Sequence, residues 1–553
     1  MMLLGLDVGG TFTDGAVVLD GKVISVVKTP TTHDNLLEGI LKAIDQVVED
    51  VGSKNFTRIA LSTTIVTNAL INGDIDQVGL CIMPGPGMNI TTALPVEPYV
   101  LSGYIDHRGH NLTGPKQEEM IAACHHFSSC SVFAISGKFS VRNPCYEIAV
   151  AQWVRKQASP DHITIGSGVA GTLNFLRRTN SAYYNAAVWR HFNIFATAVE
   201  TALQGRGINA PVYVLKADGG TLPLLVARDY PVEAVFTGPA ASVLGIMAMN
   251  PTNTPSLSLD IGGTTTDIAL WQNGVPLFAE GGANVGGFAT ALRAFRLSSI
   301  GLGGDSLVYW KAGVLKVGPM RLGPAMAVGG QNPTVTDAMV VAGLIEFGDV
   351  QLAIQAMEQV ASGGQTARQV ADIVLGKVVT IVTQGIEDML AEQGNKPVYR
   401  VADIVNGTKL IVNHVIGVGG SAAGLVPLIA KHLGLSYDLP KQGMVANAIG
   451  AAVARPTVDI TLRADTAAGY YTVAELGIKN RLPSHKFTLK DAYQLAADHL
   501  AQLANLRGIA LGATEIIQSE EFNVIEGFRT VGKIMTCRLQ VKPGVLMNRE
   551  EGL

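Results

Sequence analysis

The sequence predicts an α/β protein in which two related lobes face each other across a cleft, with a smaller C-terminal α+β region. Two observations carry this prediction. A segment of eleven residues near the amino terminus returns 253 residues later. A further glycine-rich loop, between a strand and a helix, follows the second copy. The composition, 48% hydrophobic and 16% charged, excludes intrinsic disorder and provides for several cores.

Charge and composition also narrow the partners and the setting. Lys and Arg number 41 against 45 Asp and Glu, so no basic excess indicates nucleic acid or an anionic membrane as a partner. No run of 18 uncharged apolar residues is present, which predicts no membrane span. The five cysteines form no CxxC pair, and the first residues lack the basic segment of a signal peptide. We therefore expect a reduced, cytoplasmic protein.

Hydrophobic periodicity predicts the elements of the first lobe, which we place at residues 1–240 with an insertion. Residues 2–83 read as three strands, a helix, a strand, a helix and a closing strand. The first helix is expected from about Asp34 to Val51, with Asp34 as N-cap and Gly52 as C-cap.

The second lobe is expected over residues 255–455, after a Pro/Thr-rich linker at 251–255. Its predicted helices lie near 337–347, 366–393 and 422–434, and a small-residue helix over 443–455 is expected to complete this lobe. The region 456–553 is predicted to hold a helix over 489–506 and strands near 516–524 and 530–541.

The repeated segment is a strand that ends in aspartate, a Gly-Gly turn and a second strand. Leu4–Asp14 recurs as Leu257–Asp267. The paired positions are Asp7 with Asp260, Gly9 and Gly10 with Gly262 and Gly263, Thr11 with Thr264, Thr13 with Thr266, and Asp14 with Asp267. One copy alone could be merely a tight hairpin turn, but two copies in register make that reading much weaker.

The residue types of this repeat suit a nucleotide triphosphate. Glycine lets the backbone approach a ligand, and backbone N–H groups with threonine hydroxyls can donate to phosphate oxygens. The strand-end carboxylates Asp7 and Asp260 suit Mg²⁺ (or Mn²⁺), held through water. Further contacts to the nucleotide are expected from two glycine-rich loops of the second lobe, at Gly303 and Gly304 and at Gly417, Gly419, Gly420 and Ser421.

Together these parts predict two actin-like (ribonuclease H-like) lobes with ATP in the cleft between them. The chain has no GxxxxGK[ST] segment, so it is not a P-loop protein.

Beyond this plan, the motifs resemble those of the hydantoinase A / 5-oxoprolinase family over roughly residues 2–455. The opening Asp7–Asp14 is similar to that of the family, and further landmarks follow in family order. They are Thr63–Leu70, Asp218–Gly220, Thr237–Ser242, Asp260–Asp267, Gly301–Ser306, Asn332–Ala338 and Gly417–Gly420. The resemblance implies ATP-dependent opening of hydantoin or lactam rings and a hydantoinase B-type partner subunit. Related acetone and acetophenone carboxylase subunits phosphorylate a carbonyl oxygen.

The chain departs from the family pattern at several positions. Leu61-Ser62 stand where relatives often have His-Gly, Asp218 stands for an asparagine, and Asp305 for a glycine. The chain is also short for the family. Because Leu61 is expected to border the cleft and cannot donate a hydrogen bond, we expect weak activity of the isolated chain on 5-oxoproline and hydantoin.

The leading hypothesis is an ATP-dependent amidohydrolase of a small cyclic amide, acting alone, as a homo-oligomer or with a partner subunit. In this hypothesis Asp7 and Asp260 hold the metal, and Asp14 or Asp267 positions the nucleophile. The alternatives are a small-molecule kinase, with Asp218 or Asp305 as base, and a substrate-independent ATPase.

Other residues with chemical potential have two readings each. His107 and His110 have metal-ligand spacing, but an exposed turn is the simpler interpretation. Cys81 and Cys145 are interpreted as buried thiols rather than nucleophiles. Arg177 and Arg178 either reach a substrate carboxylate or are surface charges at a helix start.

Overall fold

The computed structural model describes residues 1–9, 12–30, 36–87, 89–250, 252–394, 410–484 and 486–546. The first lobe is built on a sheet with strand order β12-β11-β4-β1-β2-β3. Its leading elements are β1 (Met2–Val8), β2 (Phe12–Leu19), β3 (Lys22–Pro30), α1 (Leu36–Val51), β4 (Arg58–Thr63) and α2 (Ile65–Asn72). These match the predicted order. Gly52 follows α1 with a positive φ of 65°, as predicted for its C-cap, whereas Asp34 lies outside the described residues.

The strand predicted to close this set, β5 (Val78–Met83), instead begins an inserted sheet with order β10-β9-β5-β6. The insertion continues with β6 (Tyr99–Val100), β7 (Tyr104–Ile105), β8 (Asn111–Thr113), α3 (Gln117–His126), β9 (Val132–Gly137), α4 (Cys145–Ala158), β10 (His162–Ile165) and α5 (Gly166–Val169). The chain returns through α6 (Phe175–Gly205), β11 (Val212–Leu215), β12 (Thr221–Pro223), α7 (Leu224–Ala227) and α8 (Thr237–Met249).

The second lobe repeats the topology of the first, with sheet order β15-β14-β13-β21-β22. Its strands are β13 (Ser256–Ile261), β14 (Thr266–Gln272), β15 (Val275–Pro276), β16 (Asn284–Val285), β17 (Phe288–Ala289), β18 (Leu297–Ile300), β19 (Val308–Lys311), β20 (Val314–Val317), β21 (His414–Val418) and β22 (Ser436–Asp438). Its helices are α9 (Val335–Val341), α10 (Val350–Gln359), α11 (Ala367–Gly394), α12 (Ala422–Leu433) and α13 (Ala446–Val453). The predicted helix 337–347 is therefore shorter, and α10 was not predicted.

The C-terminal region is an antiparallel sheet covered by one long helix, as expected for an α+β region. It comprises β23 (Asp459–Asp465), β24 (Tyr470–Val473), β25 (Ile478–Arg481), α14 (Leu489–Leu506), β26 (Thr514–Glu526) and β27 (Arg529–Val541). Helix α14 agrees with the prediction, while β23 to β25 were missed. Short 3₁₀ helices lie at Thr91–Ala93, Pro231–Ala234, Met326–Val328, Gly443–Val445 and Ala474–Leu476.

The two lobes exchange a helix across the cleft. Helix α13, expected to complete the second lobe, packs its Ala448, Ile449 and Ala452 against first-lobe strands. Conversely, α8 of the first half packs on the second-lobe sheet beside Trp271 and Ile416. The two helices touch backbone to backbone: a Cβ on Gly450 would lie 1.9 Å from the carbonyl oxygen of Ala241. Small residues are therefore required where these helices cross.

One described helix, α11, is long and apolar enough to cross a membrane, with a mean hydropathy of 1.3 over its most apolar window. Half of that window is buried inside the fold. Val370, Val374 and Val378 lie in the apolar cluster beneath the second-lobe sheet, so α11 has the packing of a core helix.

Candidate functional site

The two repeated hairpins have the same register. Asp7 lies opposite Asp14 across β1 and β2, and Asp260 lies opposite Asp267 across β13 and β14. Each turn is closed in the same way, by Gly9 N–H donating to Phe12 O and by Gly262 N–H donating to Thr265 O, both at 3.0 Å. The predicted contacts Gly10 and Thr11 lie outside the described residues.

Each strand-end aspartate is buried enough to resist ionisation. Burial, reinforced by the charges of Asp14 and Asp260, raises the pKa of Asp7 to about 7. Burial, with the Asp260 charge, raises the pKa of Asp267 to about 7. The pKa values of Asp14 and Asp260 are raised as well, chiefly by burial. The negative charges of the carboxylates in the two lobes therefore repel one another, and a bound cation would reduce this repulsion.

A hydrogen-bonded bridge joins the two lobes through Asp7 and Asp260. Asn447 Nδ2, on the exchanged helix α13, donates to Asp7 Oδ2 at 3.2 Å. The Ser242 hydroxyl, on α8, lies 2.6 Å from Asn447 Oδ1 and is also hydrogen-bonded to Asp260 Oδ2. Because a hydroxyl carries a single hydrogen, Ser242 donates to one acceptor at a time. In the sequence, Ser242 stands within a family landmark, whereas no motif or spacing indicates Asn447 as a site residue.

Lys28 supplies a cation at the same place. Its Nζ lies 2.9 Å from Asp14 Oδ1 and 3.1 Å from Oδ2, and 4.9 Å from the centre of the Phe12 ring. Its charge also lowers the pKa of Asp260, against the dominant effect of burial. Lys28 was not predicted as a site residue, because only folding brings β3 beside the hairpin turn.

The glycine-rich loops of the second lobe, predicted as nucleotide contacts, converge on its hairpin. Gly304 N–H donates to Gly262 O at 2.9 Å, and Ser421 N–H donates to Ile261 O at 2.9 Å. A Cβ on Gly303 would lie 2.6 Å from Gly262 O, and one on Gly419 would lie 2.5 Å from Asp260 Oδ1. These glycines are therefore needed for the loops to close around Asp260.

The remaining predicted contacts differ in their access to a ligand. Thr264 is exposed at the turn and Gly420 has open space beside it. Gly417 packs against Val426, and Thr13 and Thr266 are fully buried, with the Thr266 hydroxyl donating to Leu302 O at 2.7 Å. Gly417, Thr13 and Thr266 therefore pack inside the protein and support the loops there.

The expectation that Leu61 borders the cleft is wrong. Leu61 is fully buried in β4 and belongs to the apolar cluster under α1 and α6. Successive strand residues face opposite sides, so the next residue, Ser62, lies beside Asp7 and shares a hydrogen bond with it. The Leu61 side chain therefore gives no reason to expect weak activity on 5-oxoproline or hydantoin.

Both proposed kinase bases already have partners within the fold. Asp305 pairs with Arg321 at 3.1 Å. Asp218 is buried, accepts from Gly220 N–H at 2.9 Å and from Gln540 Nε2 at 2.6 Å.

The arginine pair is also engaged. Arg178 is fully buried and donates to Thr172 O at 2.7 Å, and Arg177 donates to Gly281 O at 2.9 Å. Arg178 is not a surface charge, which corrects that reading for it, whereas Arg177 is partly exposed. Neither meets a carboxylate at these contacts. Both guanidinium groups stabilise loops by donating hydrogen bonds to backbone carbonyl oxygens of those loops.

The histidines and Cys81 follow their simpler interpretations, whereas Cys145 is less buried than expected. His110 is exposed and pairs with Asp106 at 3.0 Å. Cys81 is buried, and burial raises the pKa of its thiol to about 12, while Cys145 is partly buried with a raised pKa from the same cause. Among the described residues, no three His, Cys, Asp or Glu side chains are grouped to hold a metal ion.

The absence of such a group among the described residues does not exclude magnesium from the cleft. Mg²⁺ commonly takes one or two carboxylates and completes its shell with water and substrate phosphates. Asp7 and Asp260, hard oxygen donors with raised pKa values on facing hairpins, fit such a partial shell.

Known proteins resemble this chain in sequence. The model of the Hydantoinase/oxoprolinase family matches residues 178–460, and that of its N-terminal region matches residues 3–158. The chain is 25% identical over 480 residues to the caprolactamase subunit alpha of Pseudomonas jessenii, covering 78% of this chain and 67% of that protein. It is 25% identical to the acetophenone carboxylase gamma subunit of Aromatoleum aromaticum, covering 62% of this chain and 53% of that protein.

Solved structures share the fold over almost the whole chain. The ATP-dependent caprolactamase from Pseudomonas jessenii superposes with a TM-score of 0.72 and 21% identity, over 99% of this chain and 88% of that one. Nucleotide-free acetone carboxylase gives 0.70 and 15%, over 100% and 89%. The predicted α/β fold is thereby confirmed.

Proposed function

Because the chain belongs to the hydantoinase/oxoprolinase family, we propose that it hydrolyses a cyclic amide at the expense of ATP, by phosphorylating the amide carbonyl oxygen. The relationship to a caprolactamase subunit supports this reaction class. The observation that supports this proposal most strongly is the pair of similar hairpins. Their carboxylates, Asp7 and Asp260, are joined by hydrogen bonds through Asn447 and Ser242.

We place the triphosphate between the hairpins, with the second-lobe glycine loops against it. Backbone N–H groups and Thr264 would donate to phosphate oxygens, and Lys28 would add a positive charge. Asp7 and Asp260 would hold Mg²⁺, which neutralises charge on the γ-phosphate during transfer. The raised pKa values of these carboxylates are consistent with a site built for a cation.

The chemistry follows from the weakness of an amide as an electrophile. The carbonyl oxygen attacks the γ-phosphorus and ADP leaves, so that the former carbonyl oxygen becomes part of a phosphate leaving group. Water adds to the activated carbon and loses a proton to a base. The ring then opens between carbon and nitrogen, the nitrogen takes up a proton, and an acyl phosphate remains. A second water adds to the acyl carbon and loses a proton, the carbon–oxygen bond to phosphate breaks, and inorganic phosphate departs with the former carbonyl oxygen. ATP, two waters and a lactam thus give ADP, phosphate and an amino acid.

Of the two candidate bases, the geometry favours Asp267 over Asp14. Asp14 is held in an ion pair by Lys28, which stabilises its charged form and weakens it as a base. Asp267 has no lysine or arginine partner within ion-pair distance among the residues that the structure describes, and its pKa of about 7 is matched to proton transfer near neutrality.

No specific observation favours the alternatives. A small-molecule kinase needs a positioned base near its acceptor hydroxyl, and Asp218 and Asp305 are both engaged elsewhere. A substrate-independent ATPase would release phosphate without a lactam, and the following test separates it.

The test uses a lactam labelled with ¹⁸O in its carbonyl group. Phosphorylation of that oxygen requires the label to appear in inorganic phosphate, measured by mass spectrometry together with ring opening. Asp260→Asn should abolish lactam-dependent phosphate release, whereas Asp498→Asn, an exposed change on α14, should not. Turnover with unlabelled phosphate would overturn the phosphorylation step, and phosphate release without lactam would favour the simple ATPase.

We further propose that the chain works as one subunit of a cytoplasmic complex with a hydantoinase B-type partner. Two relatives are described as subunits, caprolactamase subunit alpha and acetophenone carboxylase gamma subunit. Co-expression with the neighbouring reading frame should yield a complex by size-exclusion chromatography with higher lactam turnover than the chain alone. A chain that reaches full turnover without any partner would refute the need for one.

A further inference from the structure

The segment that follows β20 is tied to the glycine-rich loop 301–306 of the second lobe. Leu307 N–H donates to Met320 O at 2.8 Å, and Leu307 O accepts from Gly318 N–H at 2.9 Å. Both bonds join backbone atoms, so they fix the path of the segment beside the loop. The residue after Met320, Arg321, is thereby brought next to the loop that we have placed against the triphosphate.

Asp305 connects this arginine to the repeated hairpin. Its N–H donates to Gly263 O, in the hairpin turn, at 2.7 Å, and its Oδ2 accepts from Arg321 Nε at 3.1 Å. Thr264, the residue after Gly263, is exposed at the same turn. The guanidinium group of Arg321 is therefore separated from the backbone of the hairpin turn by a single residue, Asp305.

The guanidinium group keeps most of its donors for a ligand. Asp305 engages Nε–H, and neither Nη1 nor Nη2 has a hydrogen-bond or ion-pair partner among the described residues. The side chain of Arg321 is 26% exposed, so these groups are accessible to a ligand from solvent. A guanidinium group that is fixed through Nε presents its remaining N–H groups in one plane, which suits phosphate oxygens.

The negative charge of Asp305 also calls for a cation at this place. Asp305 is one of the positions at which the chain departs from the family pattern, since relatives often have glycine there. Burial raises the pKa of Asp305, and the charge of Arg321 opposes this effect. An unpaired carboxylate beside the turn would repel a phosphate group. Arg321 offsets that charge and supplies donors that a glycine would not.

We propose that Arg321 is a phosphate-binding residue of the nucleotide site and that Asp305 holds it in position. In this arrangement Nε–H stays on Asp305, while the Nη groups donate to phosphate oxygens of a magnesium-bound nucleoside polyphosphate. The inference rests on the proposed function, because that function places the triphosphate between the hairpins. It adds a second-lobe cation to Lys28 of the first lobe.

Calorimetry with the full, nucleotide-free chain tests this assignment, with the non-hydrolysable ATP analogue AMPPNP and Mg²⁺ as the probe. Arg321→Gln should weaken binding about tenfold or more, the usual cost of losing a hydrogen bond to a charged group. Binding of adenosine, which has no phosphate, should not change. Arg321→Lys keeps the charge but not the planar set of donors, so its affinity should be intermediate.

Arg206→Gln is the matched control. It removes an ion pair of the same kind at the surface of the first lobe, where Arg206 Nε lies 2.7 Å from Asp45 Oδ1. Binding of the analogue should be unchanged in this variant. Melting temperatures show which variants keep the fold, and Arg321→Lys retains a cation beside Asp305 if Arg321→Gln does not fold.

A double variant separates phosphate binding from simple compensation of charge. If Arg321 contacts phosphate, Arg321→Gln should weaken binding of the analogue even after Asp305→Gly has removed the carboxylate. If Arg321 only offsets the charge of Asp305, the double variant should bind as tightly as Asp305→Gly alone, and the proposal would be overturned.

Two further results would overturn it. One is unchanged affinity for the analogue in Arg321→Gln, and the other is an equal loss of affinity for adenosine, which would show a purely structural role. A wild-type chain that binds no analogue would refute the phosphate site itself, and this assignment with it. Failure of lactam-dependent phosphate release would instead refute the proposed reaction and leave the effect of Arg321→Gln on binding intact.

Discussion

At the scale of single residues, Asn447 and Ser242 determine how the two strand-end carboxylates are presented to the cleft. Neither side chain comes from the repeated motif, yet each contacts one of its aspartates. An amide that donates to Asp7 and accepts from Ser242 orients both ends of the site at once. The bridge therefore couples the approach of the two lobes to the geometry of the proposed phosphate site.

Asn447→Ala should lower kcat for ATP turnover by roughly 10- to 100-fold, the usual cost of losing a group that orients a ligand-bearing side chain. The reason is that Asp7 loses its amide donor and Ser242 loses one acceptor. Steady-state phosphate release checks this, with exposed Asn505→Ala as the control. A wild-type kcat in Asn447→Ala would show that the bridge has no part in the reaction.

With Asp7 as the proposed cation ligand, its pKa of about 7 should make nucleotide affinity depend on pH. A cation needs the ionised carboxylate, so a proton must leave Asp7 when Mg-ADP binds below pH 7. Affinity should therefore fall as pH decreases from 8 to 6, by up to about tenfold per pH unit for one proton. Above the pKa the affinity should level off.

Calorimetry of Mg-ADP at pH 6, 7 and 8, in two buffers with different ionisation heats, measures both the affinity and the released proton. Asp7→Asn should bind more weakly with a flatter profile. Equal dissociation constants at pH 6 and pH 8 would contradict the assignment of Asp7 to the cation.

Whether a residue of this site can be predicted from the sequence depends on its separation along the chain from the residues that it contacts. Asp7 and Asp260 were predictable because residue type and spacing repeat within a short segment. Ser242 and Asn447 were not, because they meet over 205 residues of chain and Asp7 meets Asn447 over 440. The Leu61 prediction failed for a local reason: the alternation along β4 points Ser62, and not Leu61, toward Asp7.

At the scale of elements, the crossing of α8 and α13 connects the two lobes. Each helix packs on the sheet of the opposite half, and each carries one residue of the bridge. Helical periodicity predicted α13 correctly as a small-residue helix but placed it in the second lobe. Sequence order does not predict the position of α13, because tertiary packing determines which sheet a helix covers.

Gly450→Ala should therefore impair both stability and activity. A Cβ there would lie 1.9 Å from Ala241 O and 2.6 Å from Gly245 N, which forces the helices apart. Overpacking of this kind costs about 1 to 3 kcal/mol, and it displaces Asn447 from Ser242. Thermal unfolding should show a lower Tm, and phosphate release a lower kcat.

A second glycine in a helix provides the matched control. Gly376 lies within α11, and a Cβ there meets nothing within 4 Å. Gly376→Ala should leave the protein as stable or more stable by about 0.5 to 1 kcal/mol, since alanine favours helix. If the two substitutions have the same effect, close contact between α8 and α13 is not the cause.

At the scale of the whole molecule, the C-terminal region is continuous with the core of the rest. The sequence separated it correctly as an α+β unit, because α14 and the long strands β26 and β27 have clear periodicity. The sequence did not show that β23 shares a core with other parts: Ile460 and Leu462 belong to one buried cluster with Phe175 of α6. Gln540 of β27 adds a direct link, donating from Nε2 to Asp218 Oδ2 of the first lobe at 2.6 Å.

Substitution inside this shared core should therefore destabilise distant elements. Leu462→Ala removes a fully buried side chain and should cost about 2 to 5 kcal/mol, because a cavity remains where the methyl groups were. If the core is shared, amide hydrogen exchange should accelerate in α6 as well as in β23 and β27, and one cooperative transition should shift to lower temperature. Phe528→Ala, at a fully exposed turn of the same region, is the control and should change neither. Exchange that accelerates only within residues 456–546, with α6 and Mg-ADP binding unchanged, would instead show a C-terminal unit that unfolds independently.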